Sequence, residues 1–185
     1  MDAVSFAFEA HPRTRFLPRS QRRLASYDGP LLIGHGQTNS QPRTVAQMLR
    51  LLEVEKGQRV LDVGSGSGWS TALLAHLTGP TGEVLGVEIE ADLVAFGRDN
   101  LAATGQPWAT ISPAQPGVLG LPDRAPFDRI LVSAEPLTLP EELVQQIGDG
   151  GRMVIPVDGT MLVVVRSGDD VGVTRHGGYR FVPLR

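Results

Sequence analysis

Residues Val60–Gly68 read Val-Leu-Asp-Val-Gly-Ser-Gly-Ser-Gly, an apolar run that passes through three alternating glycines into a helical pattern. Such a segment predicts a buried strand, a tight turn and a helix. Glycine reaches backbone conformations closed to other residues and has no Cβ to hold a ligand away. The unpaired N–H groups that open the helix point at the same spot. The next apolar run, Glu83–Glu88, ends in an acid, and a carboxylate at a strand tip there accepts ribose hydroxyls. The combination predicts a bound nucleoside.

Around this unit strands alternate with helices. Arg59–Val63, Glu83–Glu88, Ala109–Ser112 and Phe127–Ser133 read as strands, and Ser70–Leu77, Ala91–Ala103 and Pro140–Ile147 as helices. Another helix opens at Pro42, with Ser40 or Gln41 at its cap and Val45, Met48, Leu49 and Leu52 facing the core. The alternation predicts an α/β fold, Rossmann-like, with a mostly parallel sheet and helices on both faces. Met153–Val157, Met161–Arg166 and the tail Val171–Val182 have no helix between them and predict an antiparallel C-terminal edge. The first forty residues, rich in Pro, Gly and Arg, predict an irregular arm with short helical pieces. Arg13, Arg15, Arg19, Arg22 and Arg23 cluster there. They read as a solvated face, or as a basic rim that attracts acidic peptide or helps hold the arm over the cofactor.

The identity of the ligand turns on two positions. A dinucleotide fingerprint requires a third glycine at position 69, which is Trp69. Asp62, directly before the glycines, would repel a pyrophosphate but suits a cation such as the sulfonium and ammonium of S-adenosyl-L-methionine. The D-x-G-x-G-x-G pattern resembles the first motif of class I methyltransferases, and Glu88 resembles their ribose-binding acid.

Composition narrows the rest. At 185 residues the chain suits one domain that buries about 70% of its unfolded surface. A net charge of −3 gives no sign of nucleic-acid or membrane binding. The absence of cysteine excludes disulfides, a thiolate nucleophile and Cys-based zinc. His11, His35, His76 and His176 show no metal spacing, so no metal is expected. Neither a signal peptide nor a membrane span is evident, and a cytoplasmic monomer is expected. The strand ends offer Asp62, Glu88, the loop Gln115–Gly117 and Ser133–Glu135, without a nucleophile–base pair. That argues against a hydrolase. A carboxylate acceptor, by contrast, is ionised at neutral pH and needs no general base. Methyl transfer to it from a sulfonium cancels two charges, which a dry, orienting pocket favours.

Longer stretches extend the resemblance. Arg19–Tyr27 with Pro30–Gly34, Gly36–Pro42, Val60–Gly68, Gly120–Pro122 with Ala125–Asp128, Gly150–Pro156 and Phe181–Leu184 are similar to the protein-L-isoaspartate O-methyltransferases nearly from end to end. The resemblance implies an S-adenosylmethionine-dependent carboxyl methyltransferase whose partners are isoaspartyl-containing proteins or peptides. Loss of the methyl ester yields a succinimide that reopens partly to aspartate. Carried over by position, Ser40 is the active-site hydroxyl, and Gln37, Thr38 and Asn39 form the substrate loop. Asp62, Gly64, Ser65, Gly66, Gly68 and Glu88 bind the cofactor, with Gln115 near its base. Residues 1–41 are then an arm and substrate loop, and residues 42–185 the cofactor-binding core of a single methyltransferase domain. Two positions depart from the family pattern: Asn39 replaces an isoleucine, and Pro116 replaces an aspartate near the adenine. They motivate two alternatives, a relative repurposed to ordinary aspartate or another carboxylate, and a non-catalytic S-adenosylmethionine-binding module.

Overall fold

The computed structural model describes residues 2–185. In chain order its elements are α1 (Ala3–Ala10), β1 (Leu31–Gly34), β2 (Gln37–Asn39), α2 (Pro42–Leu52), β3 (Arg59–Val63), α3 (Trp69–Thr78), β4 (Glu83–Glu88), α4 (Ala91–Ala102), β5 (Ala109–Pro113), β6 (Phe127–Val132), α5 (Glu141–Val144), β7 (Ile147–Val157), β8 (Thr160–Ser167) and β9 (Asp170–Gly178). Short 3₁₀ turns occupy Arg13–Phe16, Arg19–Leu24 and Pro122–Arg124.

Seven strands form one sheet in the order β5-β4-β3-β6-β7-β8-β9. The pairs from β5 to β7 are parallel, and β7–β8 and β8–β9 are antiparallel. The fold is the predicted α/β class with its antiparallel C-terminal edge. The chain runs from β3 outward to β5, then returns to the other side of β3 as β6, so a topological switch lies between β3 and β6. Val63 pairs with both Val87 and Val132. The residues that follow, Gly64, Glu88 and Ser133, therefore emerge in one row.

Alternation along the strands builds two cores. Val60, Val84, Ile111, Leu131, Val154 and Val163 pack on residues of α1–α4. Leu61, Val63, Leu85, Val87, Ile130 and Val132 pack on α5 and on Leu119, Leu121, Ala125 and Leu184. The second face thus carries one short helix and loops instead of a full helical layer.

Two local expectations are corrected and a third is decided between its alternatives. The helix expected over Pro140–Ile147 is only Glu141–Val144, because Ile147 already pairs with Phe127. Strand β7 accordingly starts well before Met153. Gly151 lets it pass so close that a Cβ there would lie 2.7 Å from the Gly148 carbonyl oxygen. Secondly, the irregular arm includes a hairpin: Leu31 pairs with Asn39 and Leu32 with Thr38, around a tip where Gly34, His35 and Gly36 all have positive φ. Thirdly, of the two residues expected at the cap of α2, Ser40 is not the one. Gln41 holds that position without a side-chain bond, and the Arg43 N–H is capped from a distance by Asp28 Oδ1 at 3.1 Å.

Candidate active site

The row of strand ends opens into a cleft enclosing about 920 Å³, part of it open solvent. Its floor is the glycine turn. Gly64 and Ser65 both donate their N–H to the Val87 carbonyl, at 2.9 and 3.1 Å, which folds the turn over the end of β4. Gly66 then donates to Glu88 Oε2 at 2.8 Å. Oε1 of the same carboxylate accepts from Ile89 and Glu90 N–H at 2.8 and 3.0 Å. A carboxylate offers about four lone-pair sites. Three backbone donors leave one free on Oε2, which suits a single ribose hydroxyl without breaking a bond.

Of the residues singled out from the sequence, Gln37, Thr38, Asn39, Ser40, Gly64, Ser65, Gly66 and Glu88 all line this cleft. The β1–β2 hairpin and the residue after it supply the first four, so the arm forms a lip over the glycine turn. Ser65 Oγ is buried without a hydrogen-bond partner. The Ser65 Cβ lies 3.1 Å from where a Cβ on Gly86 would stand, beside Thr71, so the hydroxyl points into the core and only the Ser65 backbone faces the cleft. The turn fits a nucleoside cofactor through its bare glycine backbone and the free lone pair of Glu88.

Asp62, Gly68 and Gln115 lie elsewhere. Asp62 is fully buried beneath the turn, where its Oδ2 accepts from Ser70 Oγ at 2.8 Å and Thr71 Oγ1 at 2.7 Å. Burial pushes its carboxyl up to about 6 despite those two bonds. It staples β3 to the start of α3 and influences the cleft through that geometry. Gly68 caps α3 with φ 84° and packs against Gly97. Gln115, Pro116 and Gly117 are exposed, and that end of the cleft is formed by Ala114, Val118, Leu119 and Gly120.

Sequence reasoning missed two parts of the site. The tail Val182–Arg185 forms one wall, held because Glu135 N–H donates to the Val182 carbonyl at 2.8 Å and Leu184 N–H to the Glu135 carbonyl at 3.0 Å. No periodicity marks an extended tail that pairs with a loop. The other is Arg13. It is buried, which overturns the solvated-face reading for this member of the cluster, whereas Arg15, Arg19, Arg22 and Arg23 are exposed. Burial draws the Arg13 guanidinium down to about 10.

Comparison with known proteins decides what this cleft belongs to. The family model for protein-L-isoaspartate(D-aspartate) O-methyltransferase matches residues 1–185. The chain belongs to this family. As a member of the protein-L-isoaspartate O-methyltransferases it has relatives among archaea. It is 43% identical over 185 residues to the protein-L-isoaspartate O-methyltransferase of Methanothrix thermoacetophila, covering 99% of this chain and 88% of that one. It is 44% identical over 178 residues to the one of Methanopyrus kandleri, covering 94% and 79%. A structure from Plasmodium falciparum, solved in complex with S-adenosyl-L-homocysteine, superposes with a TM-score of 0.87 at 28% identity over 100% of this chain and 91% of that one. A further protein-L-isoaspartate O-methyltransferase structure gives a TM-score of 0.90 at 24% identity, with 62% of that chain covered, and speaks for the fold. Among the described residues, no group of three or more His, Asp or Glu side chains is placed to hold a metal. Among the same described residues, no helix is long and apolar enough to cross a membrane.

Proposed function

We propose that the protein methylates the α-carboxylate of L-isoaspartyl residues in damaged proteins or peptides, using S-adenosylmethionine. One observation carries this reading beyond family membership. Among the described residues, the lining holds a single carboxylate, Glu88, and no histidine. An alcohol or amine acceptor would find no general base there, whereas a carboxylate acceptor arrives ionised and needs none.

When bound, S-adenosylmethionine supplies a methyl group made electrophilic by the sulfonium charge. The chain's residues do the rest. Glu88 would take a ribose hydroxyl on its free lone pair, and Gly64 and Gly66, by keeping the turn bare, would let backbone lie against the cofactor. Thr38 and Ser40, on the lip, aim the acceptor across the cleft. Apolar lining from Ile33, Val45, Val63 and Leu119 excludes water, which strengthens the attraction between acceptor and sulfonium. The macromolecular partner is the isoaspartyl-bearing chain; a cytoplasmic monomer is part of the same proposal.

The test is transfer of radiolabelled methyl from S-adenosylmethionine to an isoaspartyl peptide beside its aspartyl twin. Labelling of the isoaspartyl peptide alone supports the reading. Labelling of the aspartyl twin alone replaces it with a repurposed enzyme. Cofactor binding with neither peptide labelled replaces it with a binding module.

A further inference from the structure

Arg13 is 5% exposed and has no carboxylate in ion-pair range among the described residues. Its charge is instead solvated by neutral oxygens. Nε donates to Asn39 Oδ1 at 2.7 Å and Nη1 to the Tyr27 carbonyl at 2.9 Å. Nη2 reaches the carbonyls of Gly29, Asn39 and Ser40 at 2.8, 2.8 and 3.0 Å. The guanidinium also lies 5.7 Å from the ring centroid of Trp69, the first residue of α3. Asn39 uses its other end on the glycine turn, where Nδ2 donates to Ser67 Oγ at 3.1 Å. A continuous buried path therefore joins the lip that carries Ser40 to the turn that carries Gly66.

We propose that Arg13 and Asn39 are positioning residues of the transfer site, a buried relay through which order at the glycine turn is passed to the Ser40 lip. The proposal rests on the methyltransferase reading for what binds at each end. A buried guanidinium whose hydrogen bonds all go to neutral oxygens, with the Asp28 charge acting only at longer range, loses several bonds at once if any one acceptor segment drifts. The Tyr27–Gly29 loop, Asn39 and Ser40 are thereby held as one body. Asn39 ties that body to the turn, and an isoleucine in its place would leave both Arg13 Nε and Ser67 Oγ unpaired. A ligand that stiffens the turn then stiffens the lip, and affinities at the two ends become coupled by reciprocity.

The experiment compares wild type, Asn39→Ile, Asn39→Asp and Arg13→Lys as full chains. The first readout is amide hydrogen exchange over residues 37–41 in the free protein. The relay predicts faster exchange there in Asn39→Ile and Arg13→Lys. Asn39→Asp retains wild-type rates, because a carboxylate accepts from both Arg13 and the Ser67 hydroxyl. Equal rates in wild type and Asn39→Ile overturn the relay, whether or not any ligand binds. The second readout is the dissociation constant of an isoaspartyl peptide with and without S-adenosylhomocysteine. Wild type should gain about tenfold in peptide affinity, Asn39→Ile should gain nothing, and Asn39→Asp should regain the effect. A gain preserved in Asn39→Ile overturns the coupling. If wild type binds neither ligand, the functional reading fails while the exchange data still judge the relay.

Discussion

Gly68 and Gly97 meet backbone to backbone. A Cβ on Gly68 would lie 2.9 Å from the Gly97 carbonyl oxygen, and one on Gly97 would lie 2.8 Å from the Gly66 carbonyl oxygen. The third glycine of the turn therefore serves the crossing of α3 and α4. That crossing presses the turn into place from behind.

Gly97→Ala tests that contact. Ala should stabilise an ordinary helix position by about 1 kcal/mol relative to Gly. Here overpacking should win, with a net loss of about 1–3 kcal/mol in urea unfolding. A gain in stability would show that the crossing relaxes freely. Gly66→Val should instead abolish S-adenosylhomocysteine binding in calorimetry, since φ at Gly66 is 51° and a Cβ there meets Ile33 Cδ1 at 3.2 Å.

Ser40 and Asp28 separate chemistry from capping. Ser40→Ala should lower turnover on an isoaspartyl peptide at least tenfold, while unfolding free energy moves by less than about 0.5 kcal/mol. Asp28→Ala should show the reverse pattern, losing about 1 kcal/mol because it removes the acceptor for the Arg43 N–H. Equal loss of stability in both would restore a capping role to Ser40.

Asp62 gives the protein a stability slope with a definite sign. Burial raises its folded pKa from 3.8 to about 6, so the native state holds the proton more tightly than the unfolded chain. Its contribution to stability is full at low pH and is lost as pH rises through that window, on the order of 2–3 kcal/mol. Asp62→Asn should therefore gain relative to wild type between pH 4 and 7, measured as the difference in urea unfolding. A constant difference across that range would contradict the buried-carboxyl account.

His11 slopes the other way. It is 7% exposed, and its Nδ1 has no partner. Its ring lies 5.4 Å from that of His76, and its Nε2 is 3.3 Å from Gln106 Nε2. Burial, then His76 and Arg15, lower its pKa. The unfolded chain thus takes up the proton first, and stability is lost as pH falls below about 6.5. His11→Phe should lose less stability than wild type between pH 7 and 5; parallel curves would place the acid sensitivity elsewhere.

What was legible in the sequence is what short-range chemistry dictates. The Val60–Gly68 pattern sets strand, turn and helix because glycine spacing and apolar periodicity act within a few residues. Glu88 could be placed because a strand tip is countable. Asp62 was read as an anion for the cationic groups of the cofactor; its bonds to Ser70 and Thr71 were not legible, since these are hydroxyls of no distinctive pattern until α3 folds back over β3. Gln115 shows the converse, a loop residue whose side chain the fold leaves in solvent.

The sequence by itself determined the α/β class, the order of most elements and the identity of the residues on the turn and lip. Only the tertiary structure decided which of them share a cleft. The register that aligns Val63 with Val87 and Val132, the burial of Arg13 among carbonyls, and the return of Val182–Arg185 as a wall all depend on contacts between segments far apart in the chain. A single arginine in a basic run carries no local mark of burial. It becomes a buried cation only when Tyr27, Gly29, Asn39 and Ser40 turn their oxygens toward it together.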